Sequence, residues 1–284
     1  MMKIRDSRAN LIVRGFYGLI YMATVVGAIL FGPYGFGLLL LAIIVGGTFE
    51  FDRIIRLSGY RPQLVLAMVS SVLLFALNYD HIFLDGTMLQ ALEVLFILTI
   101  SAMFVAELFS GSKTPVADVG ATLLSLIYIA IPTMLLCNVA MLLGAGEWNG
   151  VLMVAYIAII WANDTFAYII GITLGRRIMF ARISPKKSWE GFFGGVIGAL
   201  VVGLMFAYYL GQNCFVWGGM AAISSITGVI GDLVESMFKR SVQIKDSGNI
   251  IPGHGGWLDR FDAVLISTPV VFAYLYLLDV IDII

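Results

Sequence analysis

Long apolar stretches, separated by short polar breaks, dominate the hydrophobic pattern of this chain. A helix needs about 20 mainly apolar residues to cross a bilayer, because lipid offers no partner for backbone amide and carbonyl groups. By this criterion the pattern predicts an all-α integral membrane protein with about nine transmembrane helices. These are predicted at residues 14–32, 35–51, 63–79, 88–108, 119–143, 150–172, 191–210, 214–233 and 263–281.

The positions of the charged residues orient the predicted helices. Loops on the cytoplasmic side of a membrane carry an excess of Lys and Arg. With nine spans and a cytoplasmic amino terminus, all 17 Lys and Arg residues fall on the cytoplasmic side. We therefore expect a protein of the cytoplasmic (inner) membrane if the source is bacterial. The acidic residues of the predicted outer segments are Asp80, Asp85, Glu147, Asp279 and Asp282.

Composition agrees with a membrane protein. The chain is 60% apolar and 12% charged, whereas soluble domains are roughly 45–50% apolar and about 25% charged. These values exclude a soluble enzyme and a disordered chain. The net charge of −1 offers no basic excess for a phosphate polymer, so no nucleic-acid partner is expected. Cys137 and Cys214 lie far apart within apolar runs, which favours neither a disulfide framework nor a cysteine metal cluster.

Two regions differ in their loops. Residues 1–150 contain about five predicted helices joined by short connectors, whereas residues 151–284 contain about four helices and two long polar segments. Those segments, residues 171–190 and 232–262, hold nine of the 17 basic residues. Basic loops can reflect topology and attraction to lipid headgroups alone. Because these two also contain carboxylates, glycines and a histidine, they indicate a functional site at the cytoplasmic helix ends.

The longer polar segment begins on one face of the eighth predicted helix. Residues spaced i, i+3, i+4 and i+7 share a helix face. The residues with this spacing are Asp232, Glu235, Ser236 and Lys239.

The same segment continues into a glycine-rich stretch at residues 253–256. Glycine lets backbone N–H groups approach an anion closely. Asp259 and Asp262 then share a face where the ninth predicted helix begins. Carboxylates from two helix ends, with basic residues between them, suit Mg²⁺ and a polyphosphate. A solvated loop with capping aspartates is the alternative interpretation.

The shorter polar segment holds the adjacent pair Lys186 and Lys187 beside Ser184. Lysines beside hydroxyls can hold a phosphate as point charges, although positive charge in a cytoplasmic loop is also expected from topology. Just upstream, Asn163 and Asp164 lie within the sixth predicted helix. An ionisable residue there is costly and is either functional or held by a structural partner.

These motifs resemble a known family. From Ser236 to Asp262 the order is Ser-x-apolar-Lys-Arg, Lys-Asp-x-small, Pro-x-His-Gly-Gly and Asp-Arg-apolar-Asp. This order resembles the signature of the phosphatidate cytidylyltransferases, or CDP-diacylglycerol synthases. The Ser-Pro-Lys-Lys-Ser-Trp-Glu-Gly stretch from Ser184, and Asn163-Asp164 with Tyr168, are also similar to bacterial members. The resemblance covers residues 155–265, and Trp257 stands where the family usually has an aliphatic residue.

The resemblance implies transfer of a cytidylyl group from CTP to phosphatidate, giving CDP-diacylglycerol and pyrophosphate for phospholipid biosynthesis. It implies an Mg²⁺ cofactor and CTP and phosphatidate as partners, and it leaves a second, monovalent cation and a homodimer open. The implied metal ligands are Asp232 and Asp259. The implied catalytic residues are Lys239, Arg240, Lys245, Asp246, His254, Arg260 and Asp262. The implied substrate-binding residues are Asn163, Asp164, Ser184, Lys186, Lys187, Glu190, Gly255 and Gly256.

Two other functions fit some of these features. An ion-coupled transporter would also bury an aspartate within a span, but it predicts midplane polar residues and related halves. Here the polar residues cluster at one side, and no inverted repeat is evident. An alcohol phosphatidyltransferase would need Asp-Gly-x-x-Ala-Arg, whereas Asp85-Gly86 continues Thr-Met-Leu and falls on the predicted outer side.

Overall fold

The computed structural model describes residues 2–248 and 255–283, with side chains from residue 15 onward. Within these residues the chain forms nine helices, which confirms the predicted all-α class and helix number. The helices are α1 (Met2–Leu30), α2 (Pro33–Leu57), α3 (Leu64–Phe83), α4 (Leu89–Ser110), α5 (Pro115–Leu143), α6 (Gly150–Leu174), α7 (Trp189–Tyr209), α8 (Cys214–Ser241) and α9 (Asp262–Val280).

Seven of the helices in the described part, α3 to α9, are long and apolar enough to cross a membrane. In α1 the described apolar stretch, Gly15–Leu30, is shorter. Helix α2 is not among the seven, and its last turns carry Glu50, Asp52, Arg53 and Arg56. Much of α2 is buried among the other helices. The helix number is thus confirmed, while nine membrane crossings stay a prediction.

Turn and capping residues begin the helices where the sequence breaks predicted them. Gly32 has a φ of +102° and precedes Pro33, which opens α2 at the position where proline loses no helical hydrogen bond. Asn149, Ser188 and Asn213 cap α6, α7 and α8, because each side-chain oxygen accepts a bond from a first-turn amide. The polar breaks therefore set the helix starts directly.

Helix α5 contains a π-helical segment, Leu126–Ala130, that the sequence pattern did not predict. A π turn accommodates one more residue than an α turn and is often found at functional sites. Here it directs Tyr128 inward, with ring centroids 5.2 Å from Phe51 of α2 and 5.4 Å from Phe238 of α8. The segment thus joins α2, α5 and α8 through an aromatic cluster.

Helices α6 and α7 approach each other through glycine. A Cβ at Gly195 of α7 would lie 2.7 Å from Asn163 Oδ1, and a Cβ at Gly198 would overlap the Phe166 ring. Both α6 residues therefore pack where α7 has no side chain. This close approach fixes the part of α6 that carries Asp164.

The segment between α6 and α7 forms a small antiparallel hairpin of β1 (Ile178–Phe180) and β2 (Ser184–Ser188). Ile178 pairs with Ser188, and Phe180 pairs with Ser184. The sequence predicts this segment only as a polar loop. A lysine-containing strand of five residues lacks the alternating apolar pattern that would have predicted it.

The predicted orientation can be tested by cysteine labelling in intact cells. With the exposed native Cys214 replaced by serine, cysteines introduced at Lys113 or Arg177 should resist an impermeant thiol reagent. A cysteine at Glu147 should react, because all three positions are exposed and only Glu147 falls on the predicted outer side. The reverse labelling pattern would contradict the predicted topology.

Candidate active site

A buried ion-pair cluster forms where the end of α8 meets the turn before α9. Lys239 is only 7% exposed, and its Nζ lies 2.6 Å from Glu235 Oε2, one helical turn earlier. The same Nζ donates to Oδ1 of Asp259, which lies in the 3₁₀ turn Leu258–Arg260. Because an unpaired buried charge is strongly unfavourable, the ammonium group and the two carboxylates hold one another in place.

Asp259 also anchors the glycine-containing loop. Its Oδ2 accepts hydrogen bonds from the Gly256 amide at 2.7 Å and from the Ser247 amide at 3.2 Å, and the Ser247 hydroxyl oxygen lies 3.2 Å away. Burial favours the neutral acid, but the bonds from Lys239 and Gly256 outweigh it and hold the pKa of Asp259 below its usual value. Gly255 has a φ of +84°, a conformation that favours glycine.

Glu50 of α2 reaches the same loop from the amino-terminal region. It is 2% exposed, and its Oε2 accepts from the Ser247 hydroxyl at 2.6 Å and the Leu258 amide at 2.9 Å. Its Oε1 accepts from the Trp257 amide at 2.8 Å. In the sequence Glu50 lies at a predicted cytoplasmic helix end, where lining a cavity and placement at the membrane interface explain it equally well. The available signal was its position inside the predicted span 35–51, where a carboxylate needs partners.

A second cluster lines a cavity of about 350 Å³ between α6, the hairpin, α7 and α8. Lys187 Nζ lies 2.7 Å from Asp232 Oδ2, and the Ser236 hydroxyl donates to Asp232 Oδ1 at 3.2 Å. The polar residues that line this cavity include predicted site residues from α6, β2 and α8: Asp164, Lys186, Lys187 and Asp232.

Asp262 connects the two clusters. It is the first residue of α9, and its Oδ1 accepts from the Ala263 amide at 2.7 Å. It lies within electrostatic range of Asp164 and Asp232 and also of Lys239. Acidic residues from α6, α8 and α9 therefore interact electrostatically, and two of them, Asp164 and Asp232, line the cavity.

The remaining predicted residues occupy more peripheral positions. Arg240 donates to the Ile244 carbonyl at 2.7 Å and to the Ile183 carbonyl at 3.4 Å, which ties the end of α8 to the hairpin. Glu190 accepts from the amides of Arg176 and Arg177 at 3.0 and 3.2 Å and so closes the base of the hairpin. Other predicted residues are Ser184 on β2, buried Asn163 beside Asp164, exposed Lys245 and Asp246, and Arg260 in the 3₁₀ turn.

His254 was predicted as catalytic and lies outside the described residues. The two predicted metal ligands are described, and each pairs with its own lysine: Asp232 with Lys187, and Asp259 with Lys239. Both assignments stay predictions.

The carboxylates beside the cavity fit Mg²⁺. Among the residues that the structure describes, no three His, Cys, Asp or Glu side chains converge closely enough to enclose a metal. Mg²⁺ usually takes one or two protein carboxylates and completes its shell with water and substrate phosphates. Asp232, with Asp164 and Asp262 nearby, offers oxygen ligands of this kind.

Comparison with known proteins identifies the family. Residues 12–278 match the family described as "Cytidylyltransferase family". The chain belongs to this family. The matched range includes both clusters and all nine helices except the first turns of α1 and the last two residues of α9. The family membership predicted from the motifs is therefore confirmed, and the match extends to the amino-terminal helices.

Several proteins similar to this chain carry the name phosphatidate cytidylyltransferase. One from Synechocystis sp. is 32% identical and covers 92% of this chain and 94% of its own length. One from Haemophilus influenzae is 33% identical, with 91% and 96% covered. One from Staphylococcus aureus (strain COL) is 35% identical over 65% of this chain and 70% of its own length.

The ion-pair cluster predicts a strong effect on stability. Changing Lys239 to Met keeps the length of the side chain but leaves Glu235 and Asp259 without their shared cation. Removing one partner of a buried pair costs about 3–5 kcal/mol, so the thermal midpoint in detergent should fall by several degrees. Lys245→Met, at an exposed position nearby, is the control and should leave the midpoint within one or two degrees, or about 0.5 kcal/mol. Equal midpoints for the two variants would contradict the structural role of Lys239.

Proposed function

We propose that this protein transfers the cytidylyl group of CTP to phosphatidate, forming CDP-diacylglycerol and releasing pyrophosphate. The observation that carries this proposal is the meeting of a charged site with an apolar wall. The cavity that holds Lys186, Lys187 and Asp232 is also lined by Tyr168 and Ile172, whose exposed fractions are 68% and 66%. A lipid with a phosphate headgroup presents the same combination of apolar chains and anionic charge.

The reaction needs little activation of its nucleophile. A phosphate oxygen of phosphatidate, already ionised near neutral pH, attacks the α-phosphorus of CTP. The bond between that phosphorus and the oxygen bridging to the β-phosphorus breaks, and its electron pair leaves with pyrophosphate. Catalysis therefore depends mainly on positioning the two anions and on offsetting their charge. A site of paired lysines and carboxylates suits this task better than a nucleophilic side chain would.

Basic residues bind the phosphates in this proposal. Lys186 and Lys187 extend from β2 into the cavity and face the headgroup or the nucleotide phosphates. Lys187 already pairs with Asp232, so an arriving phosphate can share its ammonium group. Lys239 at the end of α8 and Arg260 in the 3₁₀ turn offset charge near the start of α9. Arg240 and Lys245 contribute positive charge at the rim.

Carboxylates hold Mg²⁺ in this proposal. Asp232 is the central ligand, because it lies at the cavity and within electrostatic range of both Asp164 and Asp262. Asp259 stays the second predicted ligand. When bound, Mg²⁺ would neutralise charge on the CTP phosphates and orient them. The residues themselves supply the oxygen ligands.

The test is conversion of labelled CTP into a lipid by purified protein with phosphatidate and Mg²⁺. Asp232→Asn keeps size and polarity but removes the charge that holds Mg²⁺, so we expect a loss of at least a hundredfold in activity and a higher Mg²⁺ concentration for half-maximal rate. Asp259→Asn, measured alongside, should show the same Mg²⁺ shift if it is a ligand. The control is Asp279→Asn, exposed at the opposite end of α9, which should behave like the wild type. No labelled lipid from the wild type would contradict the proposed function.

The lysine pair gives a separate prediction. Replacing Lys186 and Lys187 with glutamine removes at least one charge-assisted phosphate contact, which contributes roughly 1.5–3 kcal/mol. Because each factor of ten corresponds to about 1.4 kcal/mol, kcat/KM should fall at least tenfold while membrane insertion stays normal. The matched control replaces Arg176 and Arg177, at the hairpin base, with glutamine. An unchanged kcat/KM in the Lys186/Lys187 variant would show that this pair serves topology alone.

A further inference from the structure

Glu50 lies at the junction between the amino-terminal helices and the carboxyl-terminal site. Its two oxygens accept three hydrogen bonds, all from two short stretches, residues 247–248 and 255–258, which we call the loop ends. Two of the donors are backbone amides, those of Trp257 and Leu258. A buried carboxylate that accepts several bonds of this kind fixes the backbone path, because each amide would otherwise lose its partner.

The loop ends are shaped around this carboxylate. A Cβ at Gly256 would overlap the Ser247 hydroxyl and Glu50 Oε2, and a Cβ at Gly248 would overlap Glu50 Oε1. Glycine at both positions therefore permits the backbone to close over the side chain. One turn earlier in α2, the Trp257 ring covers Gly46, where a Cβ would lie 2.7 Å from the indole Cδ1. Packing and hydrogen bonds thus hold the loop ends to the same stretch of α2.

The contacts continue from Glu50 to the ion-pair cluster. The Ser247 hydroxyl lies 2.6 Å from Glu50 Oε2 and 3.2 Å from Asp259 Oδ2. Asp259 in turn accepts from Lys239 and from the Gly256 amide. A shift of the loop ends would therefore move Asp259 and turn its oxygens away from Lys239.

We propose that Glu50 is a positioning residue of the transfer reaction: it holds the loop ends so that Asp259, the second predicted Mg²⁺ ligand, and its partner Lys239 keep the geometry that the reaction needs. This inference rests on the proposed function. Glu50 touches no cavity-lining lysine and acts only through the loop. The carboxylate is needed rather than an amide, because all three groups that face it donate hydrogen bonds and an amide nitrogen would oppose one of them.

The experiment compares Glu50→Gln with Glu50→Asp and with Glu107→Gln. Glu107 is a matched control, because it is also a buried carboxylate that accepts hydrogen bonds. Its donors are Gln63 at 2.7 Å and Ser110 at 2.9 Å, and neither belongs to the loop ends. Glu50→Gln should lower kcat at least tenfold while KM for CTP and for phosphatidate stays within threefold. Glu50→Asp keeps the acceptor charge, so its kcat should recover at least a third of the fold-loss seen in Glu50→Gln. The kcat of Glu107→Gln should stay within twofold of the wild-type value.

Hydrogen–deuterium exchange supplies a readout that does not depend on activity. In Glu50→Gln the amides of residues 255–258 should exchange at least tenfold faster, and those of α4 should not change. Ser247→Ala should show the same kinetic pattern more weakly. The kcat of the Glu50→Gln, Ser247→Ala double variant should lie within twofold of that of Glu50→Gln alone, because both substitutions act through one contact.

The outcomes separate the two proposals. If the wild type makes no labelled lipid, the proposed function fails, and the exchange data alone decide whether Glu50 holds the loop ends. If Glu50→Gln keeps a normal kcat, or loses activity with no change in exchange at residues 255–258, the positioning role is wrong. Additive losses in the Glu50→Gln, Ser247→Ala double variant would also overturn it.

Discussion

A buried ammonium group at the end of α8 is the constraint on which the site depends. Lys239 is removed from water and must be neutralised where it lies. Its neighbours Glu235 and Asp259 place carboxyl oxygens against the ammonium group from two different elements. The position of the turn before α9 is therefore set by electrostatics as much as by chain connectivity. Ser247 and Gly256 bond to Asp259 in that turn, and α9 begins directly after it.

The amino-terminal helices contribute to this arrangement, although their sequence contains only apolar spans and scattered charges. Through Glu50, α2 supplies an acceptor for two loop amides, and through Tyr128, α5 packs an aromatic ring against Phe51 of α2 and Phe238 of α8. A division of the chain near residue 150 is useful for describing the sequence. In the structure, contacts across that boundary complete the environment of the loop.

Much of the fold could be predicted from sequence, because apolar length and polar breaks dictate membrane helices almost without regard to context. The motif residues could be found for a similar reason: Asp232, Glu235 and Lys239 share a helix face by spacing alone. The partners of Asp259 could not be predicted, because they depend on how residues 247–248 and 255–258 pack against α2. Glu50 illustrates the limit. A carboxylate near the end of a span can lie at the interface or inside the protein, and only the packing of distant segments distinguishes the two. The hairpin was missed because its strands are short and polar.

The π-helical segment of α5 has a consequence for how sequences of this family are compared. An α-helix turns each residue by about 100°, so one additional residue in a single turn rotates everything beyond it by that angle. Residues before Leu126 and after Ala130 therefore follow two different helical registers along one continuous helix. The first register directs Asp118 and Thr122 toward the α2–α3 connection, where they accept from the Arg61 and Gln63 amides. A relative that lacks the additional residue would be one position shorter in this helix. Its residues would then have to be matched to those of this chain by the helix face on which they lie, rather than by their position in the sequence.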